Sequence, residues 1–144
     1  MKSVCCDLRE SSARLEPGTF SCCVSNPPYF AAGPASLATP LARREDLCSL
    51  QELIRSAAWA LKYGGDFFLV HRPERMAQII AIAAEHKLEA KRLLLVRHRP
   101  GKPCSMVLLQ LRKGGKPGLT LEEATLFTET GDPTPFYRSV YHLT

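Results

Sequence analysis

Apolar residues recur along the chain with two different periods, and the switches between them mark out the elements. Val4 to Asp7 and Phe20 to Ser25 are short runs rich in Cys and Val, the second cut off by Asn26-Pro27-Pro28, and both predict buried strands. Tyr29 to Arg44 mixes Gly33, Pro34, Ser36, Thr39 and Pro40 without a period, which predicts a loop long enough to carry function. From Ser49 the period becomes helical. Ser49 and Glu52 form a capping box, and Leu50, Leu53, Ile54, Ala57, Ala58 and Leu61 build one apolar face. Gly64-Gly65 is read as the left-handed close of that helix, and Trp59 falls on the side opposite the stripe, as a surface aromatic.

Asp66 to Arg72 is a nearly continuous apolar run, the pattern of a central parallel strand buried on both faces. Pro73 then occupies a position tolerated at a helix start, and Met76, Ile79, Ile80 and Ala83 mark the buried side of a helix reaching to about Lys87. Lys91 to His98 and Cys104 to Arg112 predict two strands joined by Arg99-Pro100-Gly101-Lys102-Pro103, hence an antiparallel hairpin. Gly114-Gly115-Lys116-Pro117-Gly118 lacks the length and the Ser or Thr of a phosphate-binding loop and reads as a turn. Leu119 to Phe127 is a weaker strand-like piece, and the tail carries Phe136, Tyr137 and Tyr141. This order of elements is that of an α/β fold with mainly parallel strands and a C-terminal antiparallel hairpin. In such sheets ligands bind beyond the carboxyl ends of the strands, which puts Asp7, Asn26 to Phe30 and His71-Arg72 on one rim.

Composition narrows the class without choosing a function. The 144 residues are 45% hydrophobic and 23% charged, a single globular domain's worth, residues 1–144. Nineteen Lys and Arg against fourteen Asp and Glu give a net charge of +5, which admits an anionic partner and equally an ordinary basic surface. Nine of those cations lie between Lys87 and Lys116 against the single Glu89, with Arg97, His98, Arg99 and Lys102 around the hairpin tip. Docking onto a phosphate backbone and a solvated basic face are the two readings of that run. Of six cysteines, four are adjacent pairs, Cys5-Cys6 and Cys22-Cys23, so they read as small buried hydrophobes in a reducing compartment. No Cys/His ligand spacing points to a metal, and no apolar run fits a signal peptide or membrane helix, so a cytoplasmic protein is expected.

The sharpest motif is Ser25-Asn26-Pro27-Pro28-Tyr29-Phe30, directly after a strand. Two consecutive prolines remove two backbone donors and stiffen the loop, so carbonyl oxygens and the Asn26 amide are held in fixed directions. Tyr29 and Phe30 then offer flat faces. Acceptors beside an aromatic plate suit a planar, amino-bearing base, bonded at its edge and stacked on its ring. A rigid turn with buried aromatics is the competing reading.

This motif, with Gly33, Arg43 to Glu45, Leu69 to Arg75, Lys91-Arg92 and Lys113 to Gly118, resembles the tRNA1(Val) (adenine(37)-N6)-methyltransferase family, within the class I enzymes that use S-adenosylmethionine. The resemblance implies a Rossmann-like methyltransferase sheet and methylation of an adenine amino group in tRNA. Asn26, Pro27, Pro28 and Tyr29 would be the catalytic residues. The Asn26 side-chain oxygen and the Pro27 carbonyl would accept the two hydrogens of the target nitrogen, and Tyr29 would stack on the base. Asp7 would contact the adenine of the cofactor, S-adenosylmethionine. Phe30, His71, Arg72, Arg97, Arg99 and Lys102 are the candidate substrate contacts, toward tRNA or another nucleic acid.

The chain also departs from the family pattern. Phe20-Ser21 stands where a Phe-Asp pair is common, and Met1 to Asp7 already matches the family's third strand. By that resemblance the family's Gly-rich cofactor loop and its ribose-binding acid have no counterpart in these residues, and about 100 residues of a family member would be absent. From this follow two expectations: a sheet ordered fourth, fifth, seventh, sixth in family numbering, with the amino-terminal strand displaced; and weak cofactor binding, hence little activity, by this chain alone. A non-catalytic RNA-binding remnant and a methyltransferase acting on a glutamine amide remain as alternatives.

Overall fold

The computed structural model describes residues 10, 12, 15–26 and 40–142, with only the backbone described over 40–49. Its elements are β1 (Phe20–Ser25), α1 (Pro40–Ala60), β2 (Leu61–His71), a 3-10 turn (Pro73–Arg75), α2 (Met76–Glu85), β3 (Leu88–Arg97), β4 (Cys104–Lys113), β5 (Thr120–Thr125) and α3 (Pro135–Val140). The strands form one sheet in the order β1-β2-β4-β3-β5. β1 pairs with β2, and β3 with β5, in parallel, while β4 runs antiparallel to both β2 and β3. The expected order of four strands is therefore found, with the weak Leu119–Phe127 segment supplying a fifth at the far edge. The expected strand Val4 to Asp7 lies outside the described residues.

The core lies on one face of this sheet. Ile54, Ala57 and Ala58 of α1 and Ile79, Ile82 and Ala83 of α2 pack in one cluster with Phe67 and Leu69 of β2, Leu93 of β3 and Val107, Leu109 and Leu111 of β4. Along β4 and the second half of β2 every second residue enters the cluster, the pleat period of a sheet covered on one side. The stripe read from α1 is the buried one, and Trp59 is exposed, its indole N–H donating to the Leu15 carbonyl at 3.4 Å. In α2 Ile82 is buried, and Met76 and Ile80 pack at the cluster's edge.

The opposite face departs from expectation. Cross-strand register sets Val24 beside Phe68, and Phe68 beside Gln110, on that face. Val24 is 75% exposed and Phe68 39% exposed, so β2 is buried on one face only. The apolar run of β2 reads as doubly buried because its outward positions are apolar too; no helix of the described residues covers them. Among the described residues β1 is likewise an exposed edge strand rather than a buried one, with Cys22 exposed and Cys23 half-buried against the core. Across this face Arg112 Nε donates to Asp66 Oδ1 at 2.9 Å, and the Arg92 guanidinium donates to both Glu122 carboxylate oxygens at 3.0 Å.

The first helix also begins earlier than its capping signal. It runs unbroken from Pro40, so the region 40–44 is helical rather than loop, and Ser49 lies inside the helix. Proline suits a first turn, where its missing N–H is one of the groups without an intrahelical partner. The other end is closed by the chain entering β1: Gly18 N donates to Trp59 O at 2.9 Å and Thr19 N to Ala60 O at 3.1 Å. Gly64-Gly65 therefore does not cap the helix. It sits in a bulge, between the pairs Phe20–Leu61 and Cys22–Asp66, where Gly64 has φ +84° and a Cβ on Gly65 would lie 2.9 Å from the Lys62 carbonyl.

Candidate active-site rim

β1, β2, β3 and β5 share one direction, so Ser25, His71, Arg97 and Thr125 end on a common edge, beside the start of β4 at Cys104. Asn26 follows β1 directly and is exposed. Its strand has a neighbour on one side only, among the described residues, so the amide stands at an open corner of the rim. His71 ends β2, and its Nδ1 accepts the Arg72 backbone N–H at 2.8 Å, which fixes the imidazole against the strand end. Arg97 ends β3, 3.5 Å from Glu123 Oε1. Arg99 and Lys102 are exposed in the hairpin turn, which closes with Lys102 N donating to Arg99 O at 3.2 Å. At about 4.8 Å per strand step, Asn26 and Arg97 stand about 14 Å apart along the edge.

Six of the residues singled out in the sequence, Asn26, His71, Arg72, Arg97, Arg99 and Lys102, thus share one rim. Pro27, Pro28, Tyr29, Phe30 and Asp7 lie outside the described residues. The basic run, in contrast, is not one patch. β3 and β4 are ten residues long and antiparallel, so residues near in sequence separate by about 30 Å between the two ends of the sheet. Lys113 donates to the Leu61 carbonyl at 2.7 Å and lies 5.1 Å from the Tyr63 ring centre, and Lys91 donates to the Lys116 carbonyl at 2.7 Å. With Arg92 and Arg112 in ion pairs, the rim keeps only Arg97, Arg99 and Lys102 of the nine cations.

The rim carries a feature that the strand pattern does not bring out. After β5 the chain continues alongside the β3 end, with Leu126 N donating to Arg97 O and Phe127 N to His98 O, each at 3.0 Å. This seats Phe127 against His98, ring centres 4.9 Å apart. Tyr137 follows at 4.8 Å and Tyr141 at 4.6 Å, so four rings form one continuous tilted series. Tyr137 and Tyr141 are four residues apart at the end of α3, and that spacing is the one signal of the series in the sequence.

The vicinal thiols differ in environment. Burial, and next the neighbouring Cys22 thiol, push the Cys23 thiol up from its ordinary value. Among the described residues no group of three or more His, Cys, Asp or Glu could hold a metal ion. No helix among them is long and apolar enough to cross a membrane.

No family model matches the chain. Its relatives are nonetheless consistent. It is 32% identical over 131 residues to the tRNA1(Val) (adenine(37)-N6)-methyltransferase of Porphyromonas gingivalis, covering 86% of this chain and 49% of that protein. The enzyme of the same name from Shewanella halifaxensis is 28% identical over 113 residues, 77% of this chain and 46% of its own length. The chain thus spans about half the length of the curated relatives it matches. Among solved structures, a predicted O-methyltransferase of Agrobacterium tumefaciens superposes with a TM-score of 0.73 at 22% identity, over 94% of this chain and 60% of that one. A putative DNA modification methylase of Thermus thermophilus, complexed with S-adenosyl-L-methionine, gives 0.57 at 19% identity, over 96% and 58%. These likenesses establish a methyltransferase fold of the Rossmann-like kind.

Proposed function

The chain belongs to the tRNA1(Val) (adenine(37)-N6)-methyltransferase family, spanning about half the length of its relatives, and from that premise we propose that it is the acceptor-binding half of an S-adenosylmethionine-dependent enzyme that methylates an adenine amino nitrogen in tRNA. The observation that carries this reading is the exposed Asn26 amide at the open corner of a rim that also presents Arg72, Arg97, Arg99 and Lys102. An exocyclic adenine nitrogen is a poor nucleophile, because its lone pair is delocalised into the ring. An amide oxygen that accepts one of its hydrogens favours the pyramidal form and stabilises the positive charge that develops there. S-adenosylmethionine supplies the methyl group as a sulfonium. The task of Asn26, with the Pro27 carbonyl and Tyr29 beside it in sequence, is to hold the nitrogen in line, and the rim cations hold the phosphate backbone that delivers it. A tRNA substrate carries with it a cytoplasmic location.

The test is transfer of labelled methyl from the cofactor to a tRNA transcript or to a glutamine-bearing peptide. It is run with the chain alone and with the chain supplemented by the amino-terminal half of the P. gingivalis relative. Labelled tRNA in the supplemented reaction is expected, with little from the chain alone and a loss of about 100-fold or more in Asn26→Ala. Labelled peptide would overturn the substrate. No label in either reaction, with tRNA still bound, would leave an RNA-binding protein without catalysis.

A further inference from the structure

The ring series on the rim runs from the hairpin to the end of α3. Phe127 and Tyr137 are half-buried and in contact where α3 meets the end of β5. α3 is positioned by Thr134: its N–H donates to Leu126 O at 2.9 Å, and its hydroxyl donates to Thr125 O at 2.5 Å and accepts the Tyr137 N–H at 3.3 Å. Tyr141 adds a fourth ring that little covers. It is 61% exposed, next to Val140 at 54%, so it stands as the open end of a stack whose other end touches the basic hairpin. Beside the stack, an open concavity of about 390 Å³ is lined by Pro100, Phe127, Thr128, Glu129 and Thr134 among others.

A rigid file of aromatic rings ending in an exposed face, beside exposed cations, is the arrangement that binds single-stranded nucleic acid: bases stack and phosphates pair. We propose that Tyr141 is a stacking platform for an unpaired base of the RNA, some distance along the strand from the nucleotide held at Asn26, with Arg99 and Lys102 on the intervening phosphates. This rests on the reading of the rim as an RNA site and adds to it a second point of contact. Four strand steps separate β1 from β5, about 19 Å, so the two points require an extended stretch of several nucleotides rather than one flipped base. The loop of Phe127 also carries Glu129 and Asp132, which leaves the phosphate contacts to the hairpin side.

The experiment measures binding of a short single-stranded oligoadenylate and of an unmodified tRNA transcript to the chain at several salt concentrations. Tyr141→Ala is expected to weaken both by about 5- to 160-fold, the range for loss of one base stack, with the salt slope unchanged because no phosphate contact is lost. Tyr141→Trp should restore binding, and in a Trp59→Phe background the fluorescence of the introduced indole should be quenched by the oligonucleotide. Arg99→Ala with Lys102→Ala should weaken binding and flatten the salt slope. Equal affinity in Tyr141→Ala and the unaltered chain, or an unquenched indole signal from Tyr141→Trp at saturation, overturns the platform while leaving the rim reading intact. Failure of the unaltered chain to bind either RNA overturns both. Unchanged thermal unfolding of Tyr141→Ala separates a lost contact from a lost fold.

Discussion

Neighbouring residues of the same type do different things in this protein because the pleat sends them to opposite faces. Cys22 is open to solvent, whereas Cys23 is half-buried with its thiol pushed up by burial and by Cys22. The folded state holds the Cys23 proton more tightly than the unfolded chain does. Its contribution to stability is therefore complete below the ordinary thiol range and is lost as pH rises through the raised value. Alkylation at mildly alkaline pH, followed by fragment mass mapping, should mark Cys22 well before Cys23; equal rates would refute this difference. Gly114 is a second case. Its φ is +71°, and an added Cβ would stand 2.6 Å from Tyr63 Cδ1. Gly114→Ala should lower stability to denaturant by about 1–2 kcal/mol, most of it backbone strain, since the exposed Tyr63 ring has room to swing aside.

At the scale of elements, Phe67 and Phe68 make the one-sided sheet measurable. Phe67 is 1% exposed inside the helix-covered cluster, and Phe68 is 39% exposed on the other face. Phe67→Ala should cost about 3–5 kcal/mol in urea unfolding and Phe68→Ala markedly less. Comparable losses would mean that something covers the second face. These two residues also show what the sequence can and cannot disclose. Period and turn chemistry locate the hairpin, α2 and the core stripe of α1, because those features are local. The outward residues of β2 are as apolar as the inward ones, so pattern alone reads both as buried. A Ser49-to-Glu52 capping signature inside a helix reads as its start, and Gly64-Gly65 reads as its end, because a bulge and a helix stop use the same glycine chemistry. At the site, Asn26, the β2 end and the hairpin cations are legible from strand ends. The aromatic series is not, since it joins residues from the β3 end, the β5 end and α3.

At the scale of the sheet, the β1 edge and the apolar second face, open among the described residues, carry a consequence for association. Val24, 75% exposed on an edge strand, invites pairing with another chain. Val24→Lys should therefore reduce any concentration-dependent self-association seen by sedimentation, without changing the core. The sheet's connectivity also sets an order of assembly. β3 and β4 are joined by a six-residue turn, whereas β1 reaches its sole described neighbour, β2, only after α1 has closed the gap. Short-range pairing forms at a lower entropic cost than long-range pairing. The hairpin is then the element that holds together first, and β1 the one that lets go first. In native-state hydrogen exchange, the amides of Cys22 to Ser25 should open at lower free energy than those of Leu108 to Leu111. If so, the strand that presents Asn26 is also the least firmly held of those described, and a substrate gripped by Asn26 is gripped by the part of the sheet that opens first.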